Sequence, residues 1–399
     1  MAAHKLLFFV LVLAVCLTQF ASDIYAPSLP AIALGLHTSI SLSQKSLAIF
    51  LFGVAFSELI YGPLSEGIGR KIPIVMGLII MLMGSILCSL ATSIDMLITG
   101  RLIQGFGAGA CAALWRSIFR DVFVGDDLAK YGSYLVIFIM FIVPAAPALG
   151  GYLQEYFGWR ASFIFMTAYT LLALVLIIYG LTETNSYQDH KKLTVSFITQ
   201  HYWIMLSSPI FMGITFCAFL GYGAFFSWFT VGPVLLIHQL GLSPVVFGWI
   251  TCLGGGGAYA LAGWLNGRFV KKFGMHKMLR VGFFIMLLSG IFMWLGYRYF
   301  GVNLYSIVIP VILFYFGTTL LWPNAYAIAF TPFGHIAGYA GALYGFMQLC
   351  GGAVISSLVS YLPSDNQRPL ALIIIITSMM GWIVFEKVKS NVFVNHEMS

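Results

Sequence analysis

The sequence predicts an all-α membrane protein: twelve transmembrane helices in two pseudo-symmetric six-helix bundles. Three observations predict it. Only 8% of its 399 residues are charged, against about 25% in soluble domains, and the mean hydropathy is +0.95. Apolar stretches of about 20 residues, enough to cross a bilayer, recur from Leu6 almost to the C-terminus, with loops too short to fold between them. These stretches lack period-two alternation. Because backbone polar groups in lipid must find internal partners, they read as helices and not as barrel strands.

Charge and turn punctuation delimit the spans in order. The first, 5–34, starts with Lys5 and an apolar run to Phe20 that could pass for a secretory leader. Its apolar character continues to about Leu34, so it reads as a retained first span. Spans near 41–65 and 72–92 flank a glycine-rich basic turn at Gly62–Lys71. Spans near 95–119, 127–153 and 159–181 complete the first half and are punctuated by Arg120, Asp121 and Arg160. The longest polar stretch, about Thr182 to His201, holds Glu183, Asp189, Lys191 and Lys192 and divides the chain near its middle. Six further spans follow near 206–236, 243–267, 276–298, 303–330, 337–361 and 369–387. The expected organisation is an N-terminal bundle over 1–185, a cytoplasmic linker over 186–205 and a C-terminal bundle over 206–399. A turn echoing Gly62–Lys71 recurs at Gly263–Gly274, and Pro27 is echoed by Pro233, as a duplicated bundle would show.

With both termini cytoplasmic, the inner side collects Lys5, Arg70, Lys71, Arg120, Lys130 and most of the remaining cations, leaving the outer side Lys45, Arg160, Arg298 and Arg368. This positive-inside bias accounts for the net charge of +7 without a nucleic-acid partner. The six cysteines fall in predicted spans and read as small apolar packing residues. The eight histidines lie in loops, tails or helix ends with no i, i+4 pair, so neither metal nor other cofactor is expected.

Several motifs carry a family resemblance. Gly62-Pro63-Leu64-Ser65-Glu66-Gly67-Ile68-Gly69-Arg70-Lys71 resembles the signature loop of the major facilitator superfamily, with Glu66 where Asp is usual and Gly67 where Arg is usual. Arg101-Leu102-Ile103-Gln104-Gly105-Phe106-Gly107-Ala108-Gly109 resembles its buried-arginine motif, and the Gly105 and Gly109 spacing permits close helix approach. Pro144-Ala145-Ala146-Pro147-Ala148-Leu149-Gly150-Gly151 with Gly158-Trp159-Arg160 is similar to the superfamily's antiporter motif, although Ile142 stands where an upstream glycine is usual. Asp23-Ile24-Tyr25-Ala26-Pro27-Ser28-Leu29-Pro30, with Arg116-Ser117-Ile118-Phe119-Arg120-Asp121, resembles the Bcr/CflA-type drug:proton antiporters. The resemblance implies a proton-coupled exporter of small lipophilic or cationic compounds, a monomer in the bacterial inner membrane, exchanging substrate for protons by alternating access. Its implied gating positions are Gly62, Glu66, Gly69, Arg70, Lys71, Arg120, Asp121, Pro144 and Pro147.

Four ionisable acid or base side chains lie well inside predicted spans: Asp23, Glu58, Arg101 and Arg116. Each costs roughly 2.5–3.5 kcal/mol to insert, so such residues face a partner or a watery cavity and mark a transport route. Asp23 is the first candidate for proton coupling, with Arg101 as its tuner. Glu58, where the resembling family more often has Gln, is read three ways: it moves a second proton, it is a counter-charge for cationic substrates, or it pairs with Arg116. Arg116, Tyr25, Gln104, Tyr222, Phe226, Tyr259, Trp322, Asn324 and Tyr344 are the candidate substrate-binding residues, suited to flat lipophilic solutes. Proton-coupled uptake or export of one specific metabolite or siderophore on the same fold is the alternative function, and a non-transporting membrane sensor is the more distant one. No HExxH pair, G-x-S-x-G elbow or phosphate loop points to an enzyme.

Overall fold

The computed structural model describes residues 2–123, 125–185, 188 and 194–397. The linker residues Asp189, Lys191 and Lys192 singled out above lie outside the described residues. Every regular element among the described residues is helical, and eleven helices are long and apolar enough to cross a membrane. The individual α-helices, several of which join into one crossing, are in chain order α1 (Ala2–Asp23), α2 (Leu29–Gly35), α3 (Ile40–Ile68), α4 (Lys71–Ser89), α5 (Ile94–Val122), α6 (Gly125–Phe157), α7 (Arg160–Gly180), α8 (Val195–Leu206), α9 (Pro209–Pro233), α10 (Pro244–Trp249), α11 (Gly256–Phe273), α12 (Met275–Phe300), α13 (Leu304–Phe330), α14 (Ala337–Val359) and α15 (Arg368–Glu397).

The first predicted span is not one continuous helix. It is broken at Asp23, where α1 ends, passes through a 3-10 turn at Ala26–Ser28, and resumes as α2. Pro27 and Pro30 are the local cause, since each lacks an amide hydrogen to donate back into the preceding turn. π-helical turns interrupt the seventh and eighth spans at Val234–Gln239 and Ile250–Gly255, the second beside the glycine cluster at Gly254–Gly257. Such turns concentrate at functional sites. A second departure is α8. Part of the expected polar linker is a short helix whose Phe197 and Tyr202 pack on Tyr339 of α14, while Trp203 and Ile204 stay exposed.

Small residues set the helix packing. α5 is clamped between α3 and α4. A Cβ at Gly53 would meet the Leu102 carbonyl at 2.6 Å and the Phe106 amide at 2.8 Å, and a Cβ at Gly105 would run into the Phe50 carbonyl. In the later part of the chain α12 lies against α13 and α15, and α9 against α14 and α15. The most extensive packing between the early and late parts of the chain is α3 with α14, and α6 with α10. At the end of the molecule away from α8 these parts are tied together. Gln44 donates to the Thr230 carbonyl at 2.8 Å, Trp249 donates to the Tyr152 hydroxyl at 3.1 Å, and the Lys45 ammonium sits 4.0 Å from the Tyr361 ring centre.

The α3–α5 contact makes a clear prediction. Gly53→Leu should force backbones apart and destabilise the protein by about 1–3 kcal/mol, read as a lower melting temperature in detergent. Gly257→Leu, where an added Cβ meets nothing within 4 Å, should leave it unchanged.

Candidate functional site

Asp23 occupies the last position of α1 and is buried. Its two carboxylate oxygens accept from Ser22 Oγ at 2.6 Å and Gln19 Nε2 at 2.7 Å. Gln19 stands one turn earlier on the same helix, at the i, i+4 spacing that brings side chains together. Arg101 approaches the same break from α5. Its Nη1 donates to the Ala21 carbonyl at 3.0 Å and to Gln104 Oε1 at 2.5 Å. Carbonyls in the last turn of a helix have no intrahelical donor, so the guanidinium caps the broken end of α1. Its plane lies between the Tyr25 and Phe50 rings, each centre 4.1 Å away, a stacking geometry that suits Arg better than Lys. Arg101 makes no ion pair with Asp23; it holds the backbone beside it.

Three adjoining cavities run through the middle of the protein. One of about 250 Å³ is lined by Gln19 and Asp23 from α1, Pro144 and Pro147 from α6, and Tyr222 and Tyr259 from the later helices. A second, about 270 Å³, reaches toward the α8 end between Glu58, Trp115, Arg120 and Tyr326. The third, about 470 Å³, is bordered by Asn266, Trp322, Tyr344 and Gln348. Arg116 lines all three. Its guanidinium rests 4.4 Å from the Trp115 ring and 5.8 Å from that of Tyr326.

The structure therefore brings Asp23, Glu58, Arg116, Tyr222, Tyr259, Trp322 and Tyr344 to one connected space. It leaves four sequence candidates behind the wall. Tyr25 lies under Arg101, and Gln104 is spent between Arg101 and Ser85, to which it donates at 2.8 Å. Phe226 packs against Tyr222, and Asn324 donates to Asn266 at 2.7 Å, so Asn266 and not Asn324 borders the cavity. Sequence reasoning missed Tyr315, Thr319 and Tyr326. With Trp322 they recur at helical spacing along α13 and all reach the cavities, a stripe that the sequence carries among many other aromatics.

The signature loop forms a second cluster at the α8 end. Arg70 donates to Ser65 Oγ at 2.6 Å, Glu66 at 2.7 Å and Asp121 at 3.1 Å. Glu183, which the sequence marked only as part of the linker, accepts from the backbone amides of Arg70 at 2.8 Å and Lys71 at 3.1 Å. It thereby caps the start of α4, where the helix dipole favours an anion. Gly69 has φ +95, and a Cβ there would strike the Glu183 carboxylate. Lys71 reaches the Ile178 carbonyl at 2.8 Å, and Arg120 borders the cavity mouth.

A comparison with known proteins decides the family. The model of the Major Facilitator Superfamily matches residues 11–357. The chain belongs to the major facilitator superfamily. Among curated members of this superfamily, it is 30% identical to a bicyclomycin resistance protein homolog of Haemophilus influenzae, over 89% of this chain and 88% of that one. It is 28% identical to multidrug resistance protein D of Escherichia coli, covering 95% and 93%. The crystal structure of a D-xylose-proton symporter superposes with a TM-score of 0.73 at 15% identity, over 95% of this chain and 97% of that one, which establishes the shared fold. This is a transporter family, and a multi-pass membrane protein.

Glu183 gives a pH-dependent prediction. Burial alone would push its carboxyl up, but four backbone amides outweigh it and hold the group below its ordinary value. A carboxyl depressed in the folded state stabilises the fold above its unfolded value and loses that contribution as pH falls through the folded one. Glu183→Gln should lower the melting temperature by a few degrees at pH 7. The gap to the parent should shrink as pH drops below about 4.3.

Proposed function

We propose that this superfamily member is a proton-driven exporter of small lipophilic or cationic compounds. The reading has it working as a monomer in the inner membrane of a bacterium, with both termini cytoplasmic. In this reading α6 supplies a twelfth crossing. The chain then divides into an N-terminal bundle over 1–185, a cytoplasmic linker over 186–205 and a C-terminal bundle over 206–399. The names of the relatives, which concern resistance to bicyclomycin and to multiple drugs, support export.

The observation that carries the reading is Asp23. It is a membrane-embedded carboxylate at a helix break, and it borders a cavity shared by early and late helices. A carboxylate there takes a proton when the cavity faces outward. It releases that proton when the cavity faces inward or substrate displaces it. Desolvation and the charge of Arg101 pull on it in opposite directions, and changing water access shifts the balance. The membrane potential supplies about 2.3 kcal/mol per charge per 100 mV, which makes exchange of one proton useful. The tied end opposite α8 and the cavity running toward α8 correspond to an inward-facing arrangement. Rocking of the halves then opens the other side. The Arg70 cluster, with Gly62, Gly69, Lys71, Arg120 and Asp121, governs that movement at the cytoplasmic end, and Pro144 and Pro147 govern it within α6. Glu58 is a second membrane carboxylate on the same route.

Proteoliposomes loaded with a fluorescent aromatic cation such as ethidium test the reading. The parent should drive uphill movement against an imposed pH gradient, and Asp23→Asn should abolish it while downhill flux survives. Uphill movement undiminished in Asp23→Asn would remove Asp23 as the coupling site. Movement in the opposite direction would make the protein an uptake system.

A further inference from the structure

We infer that the cavity is built for amphoteric aromatic compounds, with a protonated amine held by Glu58 and a carboxylate or comparable oxygen anion held by Arg116. The inference rests on the transport reading above and names the substrate class of the same site.

Glu58 is 6% exposed and borders the cavity nearest α8. Among the described residues its carboxylate makes no hydrogen bond or ion pair. It lies against the backbone of α14, where a Cβ at Gly345 would run into it. A carboxylate at this depth without a hydrogen-bond donor is costly, and an ammonium group is the ligand that relieves the cost.

Arg116 presents the opposite charge to the same space. It is exposed into all three cavities, and its guanidinium lies 4.4 Å from the Trp115 ring centre. Among the described residues it too makes no hydrogen bond or ion pair, so its forked donors are free to take a planar carboxylate in two parallel bonds.

Glu58 and Arg116 line one cavity without bonding to each other. A purely cationic guest satisfies Glu58 and leaves the guanidinium unmatched, and a purely anionic guest does the reverse. A guest bearing both charges on a flat ring satisfies the two together and lays its ring on Tyr222 or Tyr259. Removing a charged hydrogen-bond partner weakens such a ligand by about ten- to a hundredfold.

Equilibrium binding to the purified full-length protein in detergent tests this without requiring transport. The probes share one indole skeleton: tryptamine carries only the amine, indole-3-propionate only the acid, and tryptophan both. Tryptophan should bind tightest. Arg116→Gln should weaken tryptophan by about ten- to a hundredfold while tryptamine binds as well as before or better. Glu58→Gln should weaken tryptophan similarly and spare indole-3-propionate. Retention of the spared probe shows that each variant is folded. The inference is overturned if tryptophan binds no tighter than both single-charge probes, or if either variant weakens all three alike. If tryptophan binds as expected but proteoliposomes carry nothing against a pH gradient, the exporter reading fails and the binding assignment stands.

Discussion

The arrangement of the first half depends on one interaction: the Arg101 guanidinium capping the broken end of α1. A helix that stops inside a membrane leaves carbonyls that no water can satisfy. Here the Ala21 carbonyl receives a charged donor from α5, and that donor is kept in plane by Tyr25 and Phe50. The break is therefore sustainable. Asp23 stands at it with its own two side-chain donors, neither of which comes from Arg101. An arginine that bonded the carboxylate directly would fix its charge. One that holds the neighbouring backbone leaves the two carboxylate oxygens to Ser22 and Gln19.

The same logic of partial satisfaction runs through the central space. Arg101, Gln104 and Ser85 form a chain of closed hydrogen bonds, and those residues lie behind the wall. Arg116 and Glu58 face the cavity and make no hydrogen bond among the described residues. In a medium that punishes unpaired polar groups, the closed chain of bonds supports the architecture. Around the Arg70 cluster the same holds. Ser65, Glu66, Asp121 and Glu183 all converge on one arginine and the helix start beside it.

Much of this was legible in the amino-acid order. Arg70, Lys71 and Asp121 stood out because charges are rare in this chain and cluster where helices leave the membrane. Asp23 and Glu58 stood out because a carboxylate within an apolar run has no cheap explanation. Tyr25 and Gln104 were singled out on equal terms with Tyr222 and Trp322, and only the fold separates the first pair, behind the wall, from the second, on it. The break after Asp23 was readable in Pro27 and Pro30 but was passed over, because the apolar run continues unbroken across it.

What the sequence alone determined is the solvent and the crossing pattern. Length, apolarity and the bias of basic residues settle that this chain lives in a bilayer, and they place most helix ends to within a few residues, although α11 and α15 run on to Phe273 and Glu397. What only the tertiary structure decided is which face of each helix meets the cavity. A helix such as α13 is apolar all round, so its pattern does not distinguish lipid from interior. The choice is made by contacts such as Arg101 to Ala21, eighty positions apart in the chain, and Gln44 to Thr230, 186 apart. Packing between distant helices selects the residues that face the cavity.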